Sequence, residues 1–290
     1  MILRLLSLCL AIVALAACGE PAEPLSGSPA LWVIEGNGGE PEGWLFGTVH
    51  ALPRDVHWDG PALDQAMASA DTLVVEVRGL SDEAAIGRIF SRLATDTTQP
   101  PLSDRVDPDR RADLDRLIDR AGADRAGLDR METWAAALAL ARSASTGSTS
   151  EGVDRELERR FADRPVVELE GAKRQLSVFD SLPESEQRDL LSAVIDESLS
   201  ADGRNDILIR AWLTGDLAAL GRETRQGMLA DPELYEALVD ERNRAWADRI
   251  AELITKGDRP FVAVGAGHML GRDGLPALLK ERGYTIRRLQ

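Results

Sequence analysis

Cysteine is nearly absent from this chain. Of its 290 residues only Cys9 and Cys18 are cysteine, three are histidine, and aromatic residues make up 4%. Two cysteines, both close to the N-terminus, cannot staple a large domain or build a thiolate zinc site. No HExxH helix and no G-x-S-x-G elbow occurs, which excludes the commoner metalloprotease and serine-hydrolase motifs. Positive charge is also scarce: 34 Lys and Arg stand against 49 Asp and Glu, a net charge of −15. That balance argues against nucleic acid as a partner and against electrostatic adhesion to anionic lipid. Beyond the N-terminal segment no apolar run is long enough to cross a bilayer.

The N-terminal segment reads as an address. Arg4 supplies a positive flank, and Leu5 to Ala14 is apolar but too short to span a membrane. Leu15-Ala16-Ala17-Cys18 resembles the lipobox of bacterial lipoproteins, in which the cysteine becomes the lipidated N-terminus. Residues 1–17 are therefore expected to be a lipoprotein signal peptide, with a membrane anchor at Cys18 facing the periplasm. Residues 18–30, rich in Pro, Ser, Gly and Glu, are expected to be a flexible tether. Residues 31–290 remain as one domain with ample length for a core.

The hydropathy pattern predicts a mixed α/β fold. Leu31 to Glu35 and Trp44 to His50 flank Gly36-Asn37-Gly38-Gly39, the signature of a β-hairpin. Thr72 to Arg78, Pro165 to Leu169, Phe261 to Val264 and Tyr284 to Leu289 are the other expected strands, with Glu168 and Glu170 on one face of the second. Helices are expected over Pro61–Ala70, Asp82–Leu93, Asp109–Ala121, Arg125–Ala144 and Glu151–Asp163. Four more, Pro183–Leu199, Arg204–Thr214, Asp216–Leu229 and Asp231–Lys256, are expected to form a helical lobe over part of a central mixed sheet.

Chemistry is foreshadowed by scarce residues at strand ends. Gly47-Thr48-Val49-His50 and Gly265-Ala266-Gly267-His268 repeat one Gly-x-x-His spacing more than two hundred residues apart. Ligands bind at such rims in open sheets with helices on their faces. Glu76 lies among valines, where a lone charge is expensive without a partner or a metal. Imidazoles and carboxylates are ligands for Zn²⁺, Mn²⁺ or Co²⁺, so His50, His268, Glu76 and Glu170 form a candidate metal kit. His57 is expected at the surface. Arg242 and Asn243 are expected to orient a substrate or bridge helices, with bridging slightly favoured. Gly265-Ala266-Gly267 lacks the spacing and following chain of a dinucleotide site.

The segments Phe46-Gly-Thr-Val-His50-Ala-Leu-Pro53, Leu73-Val-Val-Glu76-Val77, Gly152-Val-Asp154, Val167-Glu-Leu-Glu170 with Gln175, Glu241-Arg-Asn243 and Phe261 through Gly283 together resemble the TraB/GumN family. That family is similar to the Tiki proteases of animals. The resemblance implies metal-dependent hydrolysis of a peptide or protein substrate, with His50, Glu76 and His268 as ligands and Glu170 as general base. The two glutamates can exchange these roles. Three alternatives stay open: haem binding, as in ChaN-like lipoproteins; metal-free acid–base hydrolysis, as in erythromycin esterases; and regulatory peptide sequestration.

Overall fold

The computed structural model describes residues 25–53, 55–80, 82–144, 152–199 and 204–290. The expected signal peptide and Cys18 lie outside these residues, as does most of the polar loop before Gly152.

The hairpin forms as its turn signal demands. Strand β1 (Leu31–Glu35) runs antiparallel to β2 (Pro41–Thr48), with Leu31 opposite Phe46. Helix α1 (Pro61–Ser69) leads to β3 (Thr72–Val75). Next come α2 (Glu83–Ala94), α3 (Arg111–Ala121), α4 (Arg125–Asp129), α5 (Thr133–Ala144) and α6 (Val153–Arg160). Strand β4 (Val166–Glu168) precedes α7 (Ala172–Asp180), α8 (Glu184–Leu199), α9 (Arg204–Leu213), α10 (Leu217–Thr224), α11 (Pro232–Tyr235) and α12 (Glu241–Thr255). Strand β5 (Pro260–Gly265), α13 (Leu275–Glu281) and β6 (Thr285–Arg288) close the chain.

The strands form one mixed sheet in the order β4-β3-β5-β2-β1-β6. Four neighbours, β4, β3, β5 and β2, are parallel, so their carboxyl ends lie on one rim. Strand β1 is antiparallel to both β2 and β6, and Leu289 N–H donates to Leu31 O at 2.8 Å.

Alternation along the strands feeds two cores. Leu31, Val33, Phe46, Leu73 and Phe261 pack on one face with Trp58, Phe161 and Trp212. Trp32, Ile34, Leu45, Val74 and Val262 pack on the other with Trp246, Ile250 and Leu279. A third core around Trp134, Leu117, Leu140, Leu190 and Ile195 belongs to the helical lobe. Among the described residues no helix is long and apolar enough to cross a membrane.

Helix α7 lies where no element is expected, the helix expected over Asp216–Leu229 ends at Thr224, and three further differences have a clear physical reason. Arg125–Ala144 is two helices, because the carbonyls of Asp129 and Met131 turn aside to accept from buried Arg105 at 2.9 and 2.6 Å. The strand through Glu76 stops at Val75, since the Glu76 carbonyl accepts instead from Glu170 and Gly171 N–H at 3.2 and 3.1 Å. Asp231–Lys256 is interrupted by a π-helical turn at Glu236–Asp240. Such a turn shifts the face of the following helix, here the helix that carries Arg242 and Trp246.

Candidate functional site

Parallel register builds the site. Thr48 pairs with Gly265, and Val75 pairs with both Ala263 and Glu168. The chain therefore leaves all four parallel strands at nearly the same height. His50, Glu76, Glu170 and His268 are the first chemistry-bearing residues beyond those exits. Four segments distant in sequence meet at one rim.

Gly265 marks the meeting point. A Cβ placed there would lie 3.3 Å from Glu76 Oε1, 3.7 Å from His268 Cδ2 and 3.9 Å from His50 Nε2. Both imidazoles and the carboxylate thus border a single spot. The Gly265 N–H donates to Glu76 Oε1 at 2.8 Å, an approach that a side chain would crowd.

Each histidine is anchored through Nδ1. His50 Nδ1 lies 2.9 Å from Asp154 Oδ2, while Thr48 donates its hydroxyl to Asp154 Oδ1 at 2.7 Å. The hydrogen bond to Asp154 raises His50 to about 9, although its side chain is 68% accessible and solvent screens part of that effect. Asp154 is held below the usual carboxylate range: burial, the largest single effect, would raise it, but the bond and charge of His50 and the Thr48 hydroxyl together outweigh burial. Asn243 donates its amide to the carbonyls of His268 and Asp273, at 3.3 and 2.7 Å. Its oxygen is then the acceptor for His268 Nδ1–H at 2.7 Å, which fixes the tautomer and leaves Nε2 with a lone pair. Burial lowers His268 to about 4, so it is neutral at ordinary pH.

Arg242 is the hub that sequence reasoning undervalued. Its Nε and Nη2 donate to the two oxygens of Glu170, each at 2.9 Å, and Nη2 also donates to Glu76 Oε2 at 2.9 Å. Nη1 donates to Leu238 O at 3.1 Å and reaches His268 Nε2 at 3.3 Å. All five N–H groups are thereby engaged. Gln175 adds a bond to Glu76 Oε2 at 2.8 Å. Burial would raise the Glu76 carboxyl, but neighbouring cationic groups, Arg242 among them, and the Gly265 N–H hold it low. The short Glu241-Arg-Asn243 motif was the available signal; nothing local in it announces that Arg242 spans two glutamates.

Glu170 sits behind this hub. Its side chain is 4% accessible, and Oε1 also accepts from Trp246 Nε1 at 3.0 Å. Glu168 does not share its surroundings. It is exposed and accepts from Arg78 N–H, because β4 ends there and Gly171 turns the chain at φ 81°. His57 is exposed and pairs through its backbone with Ser26, away from the rim.

A cleft of about 300 Å³ opens over His50, Glu76 and Asp154, between α2 and α6. Val75, Val77, Leu80 and Ile86 form its apolar wall, and none of its lining residues is aromatic. Glu170 and Arg242 face a separate hollow beside Trp246.

The donor set fits a divalent cation by type. Two imidazoles anchored through Nδ1, one by a carboxylate and one by an amide, match the usual support of metal-ligating histidines. As placed, His50, Glu76 and His268 are not drawn within 4.8 Å of one another; the three-donor group that is so close, among the described residues, is Glu186, Asp231 and Glu233.

The sequence is similar to known proteins over most of its length. The sequence profile of the family described as TraB/PrgY/gumN matches residues 30–288. The chain is 26% identical to the protein of Escherichia coli K12 described as uncharacterized protein YbaP, over 81% of this chain and 87% of that one. The same figures hold for its counterpart in Shigella flexneri. No solved structure matches the chain.

Proposed function

The chain belongs to the TraB/PrgY/gumN family, and from that premise we propose that it is a peptidase using a divalent cation held by His50, Glu76 and His268. The observation that carries this reading is the convergence of His50 Nε2, Glu76 Oε1 and the His268 ring around Gly265, beneath an open cleft. Bound there, Zn²⁺, Mn²⁺ or Co²⁺ would supply a water of lowered pKa.

The chain's own residues do the rest. Asp154 and Asn243 anchor the two imidazoles through Nδ1 and so turn each Nε2 away from them, that of His268 lying 3.3 Å from Arg242 Nη1. Arg242 fixes the Glu76 carboxylate and balances its charge, and Glu170 fixes Arg242. Glu170, held behind Arg242, would thus steady Glu76 as a ligand without meeting the cleft itself. The buried valines and Leu80 exclude water beside it. An N-terminal lipid anchor at Cys18, facing the periplasm, completes the proposal.

A second reading rests on the His50–Asp154 hydrogen bond. An imidazole so oriented exchanges a proton at Nε2 without any metal, as an acid while charged and as a base above about 9. Haem binding has less support, since no aromatic ring lines the cleft.

One experiment separates these readings. Chelator-stripped protein is assayed on a quenched peptide library with and without Zn²⁺, Mn²⁺ or Co²⁺, alongside His50→Ala and His268→Ala. Restored turnover with added ion, lost in both variants, supports the metal reading. Full turnover after stripping supports His50 as acid or base. A Soret band on haem addition, with no turnover at all, would defeat both.

A further inference from the structure

The cleft carries information about which substrates fit, an inference that rests on the hydrolytic reading of the rim. Its floor is charged yet committed: Asp154 is bonded to His50 and Thr48, and Glu76 to Gly265, Gln175 and Arg242. Its rim charges are also engaged. Glu83 accepts from Arg155 at 2.8 Å and lies 3.7 Å from Arg142, while Glu158 accepts from Gly79 N–H at 2.8 Å.

Against this stands one continuous apolar wall. Val75 and Val77, at the exit of β3, are buried, whereas Leu80 and Ile86 are only half-buried and face the cleft. Ile86 comes from α2, the helix roofing that side. A charged side chain entering here would lose water and find most counter-charges already paired, with Arg142 at the open rim the loosest. An apolar one would cover the exposed parts of Leu80 and Ile86.

We propose that the cleft formed by Val75, Val77, Leu80 and Ile86 is a specificity pocket for an aliphatic or aromatic side chain of a peptide substrate, adjoining the bond presented to His50 and Glu76. About 300 Å³ accommodates one large side chain with adjoining backbone. The pocket therefore selects peptides by a single apolar residue.

The test uses pairs of internally quenched peptides that differ only by Leu or Asp at one position, scanned along the sequence. Wild-type protein should prefer Leu at one position by roughly tenfold or more in kcat/KM. Ile86→Asp should abolish that preference while a peptide with Ala at that position is still cut. In parallel, binding of the Leu and Asp peptides to His50→Ala is measured by calorimetry, with and without Ile86→Asp. Equal cleavage of Leu and Asp peptides, or a preference untouched by Ile86→Asp, overturns the pocket and leaves the peptidase standing. Ile86-dependent binding of the Leu peptide without cleavage by wild-type protein overturns the peptidase and leaves the pocket standing. A peptide set neither cut nor bound overturns both.

Discussion

Glu170 and Arg242 meet side-on, with guanidinium Nε and Nη2 each 2.9 Å from a different carboxylate oxygen. Both side chains are nearly inaccessible, at 4% and 11%. This bidentate pair sets the position of Glu76 through the remaining reach of Nη2. A residue that the family resemblance implies as general base is thereby held one layer behind the cleft.

Glu170→Gln tests that placement. It replaces a charged acceptor with a neutral one and leaves Arg242 under-compensated, so unfolding stability should fall by about 1–3 kcal/mol. Urea denaturation should show a lower midpoint at unchanged slope. A variant of wild-type stability whose turnover alone has collapsed would restore Glu170 as the base.

Asp154→Asn should free His50 from its strongest partner. The imidazole, now raised to about 9, should titrate close to its ordinary 6.5. NMR of the ring protons follows this directly in metal-free protein, and an unmoved midpoint would remove Asp154 from the account. Thr48→Val should move it less, since the Thr48 hydroxyl bonds to Asp154 and not to His50.

The two histidines predict opposite limbs of a pH–stability curve. His50 is raised in the folded protein, so its contribution is complete below 6.5 and is lost as pH rises toward about 9. His268 is lowered to about 4, so acid favours the unfolded chain from 6.5 downward. Stability of metal-free protein should peak near neutrality. The alkaline limb should be the shallower, because His50 is exposed to solvent. Denaturation across pH should show His268→Gln flattening the acid side and His50→Gln the alkaline side.

Arg105 predicts a purely structural loss. It is 1% exposed and donates to the carbonyls of Pro100, Asp129 and Met131. Arg105→Ala should strand these acceptors and cost about 1–3 kcal/mol for each left unsatisfied. Near-UV circular dichroism should report it through Trp134, which packs in the same lobe.

Most of the fold was legible because its signals are local. Apolar runs exposed β1 and β2, the turn glycines joined them, and the apolar run at Phe261 announced β5. The repeated Gly-x-x-His pointed to the rim, because rare residues at strand ends have few other reasons to match. Tertiary contacts stayed hidden. Arg105 ends one helix from a distance, and the π turn at Glu236–Asp240 reorients another without any proline or glycine to mark it. The hub role of Arg242 depends on glutamates at the ends of two other strands, so no window around Arg242 could show it. Glu168 and Glu170 share a strand parity, yet the strand stops between them.

Strand β1 is bonded on both sides, to β2 and to β6, and its first residue is also fastened by Leu289. In mechanical terms, a pull on the segment preceding Leu31 along the strand would load two ladders in shear at once. Ladders loaded in that direction share the force among all their bonds, whereas a hairpin pulled apart at its open end yields one bond at a time. The domain is thus braced where the preceding chain enters it.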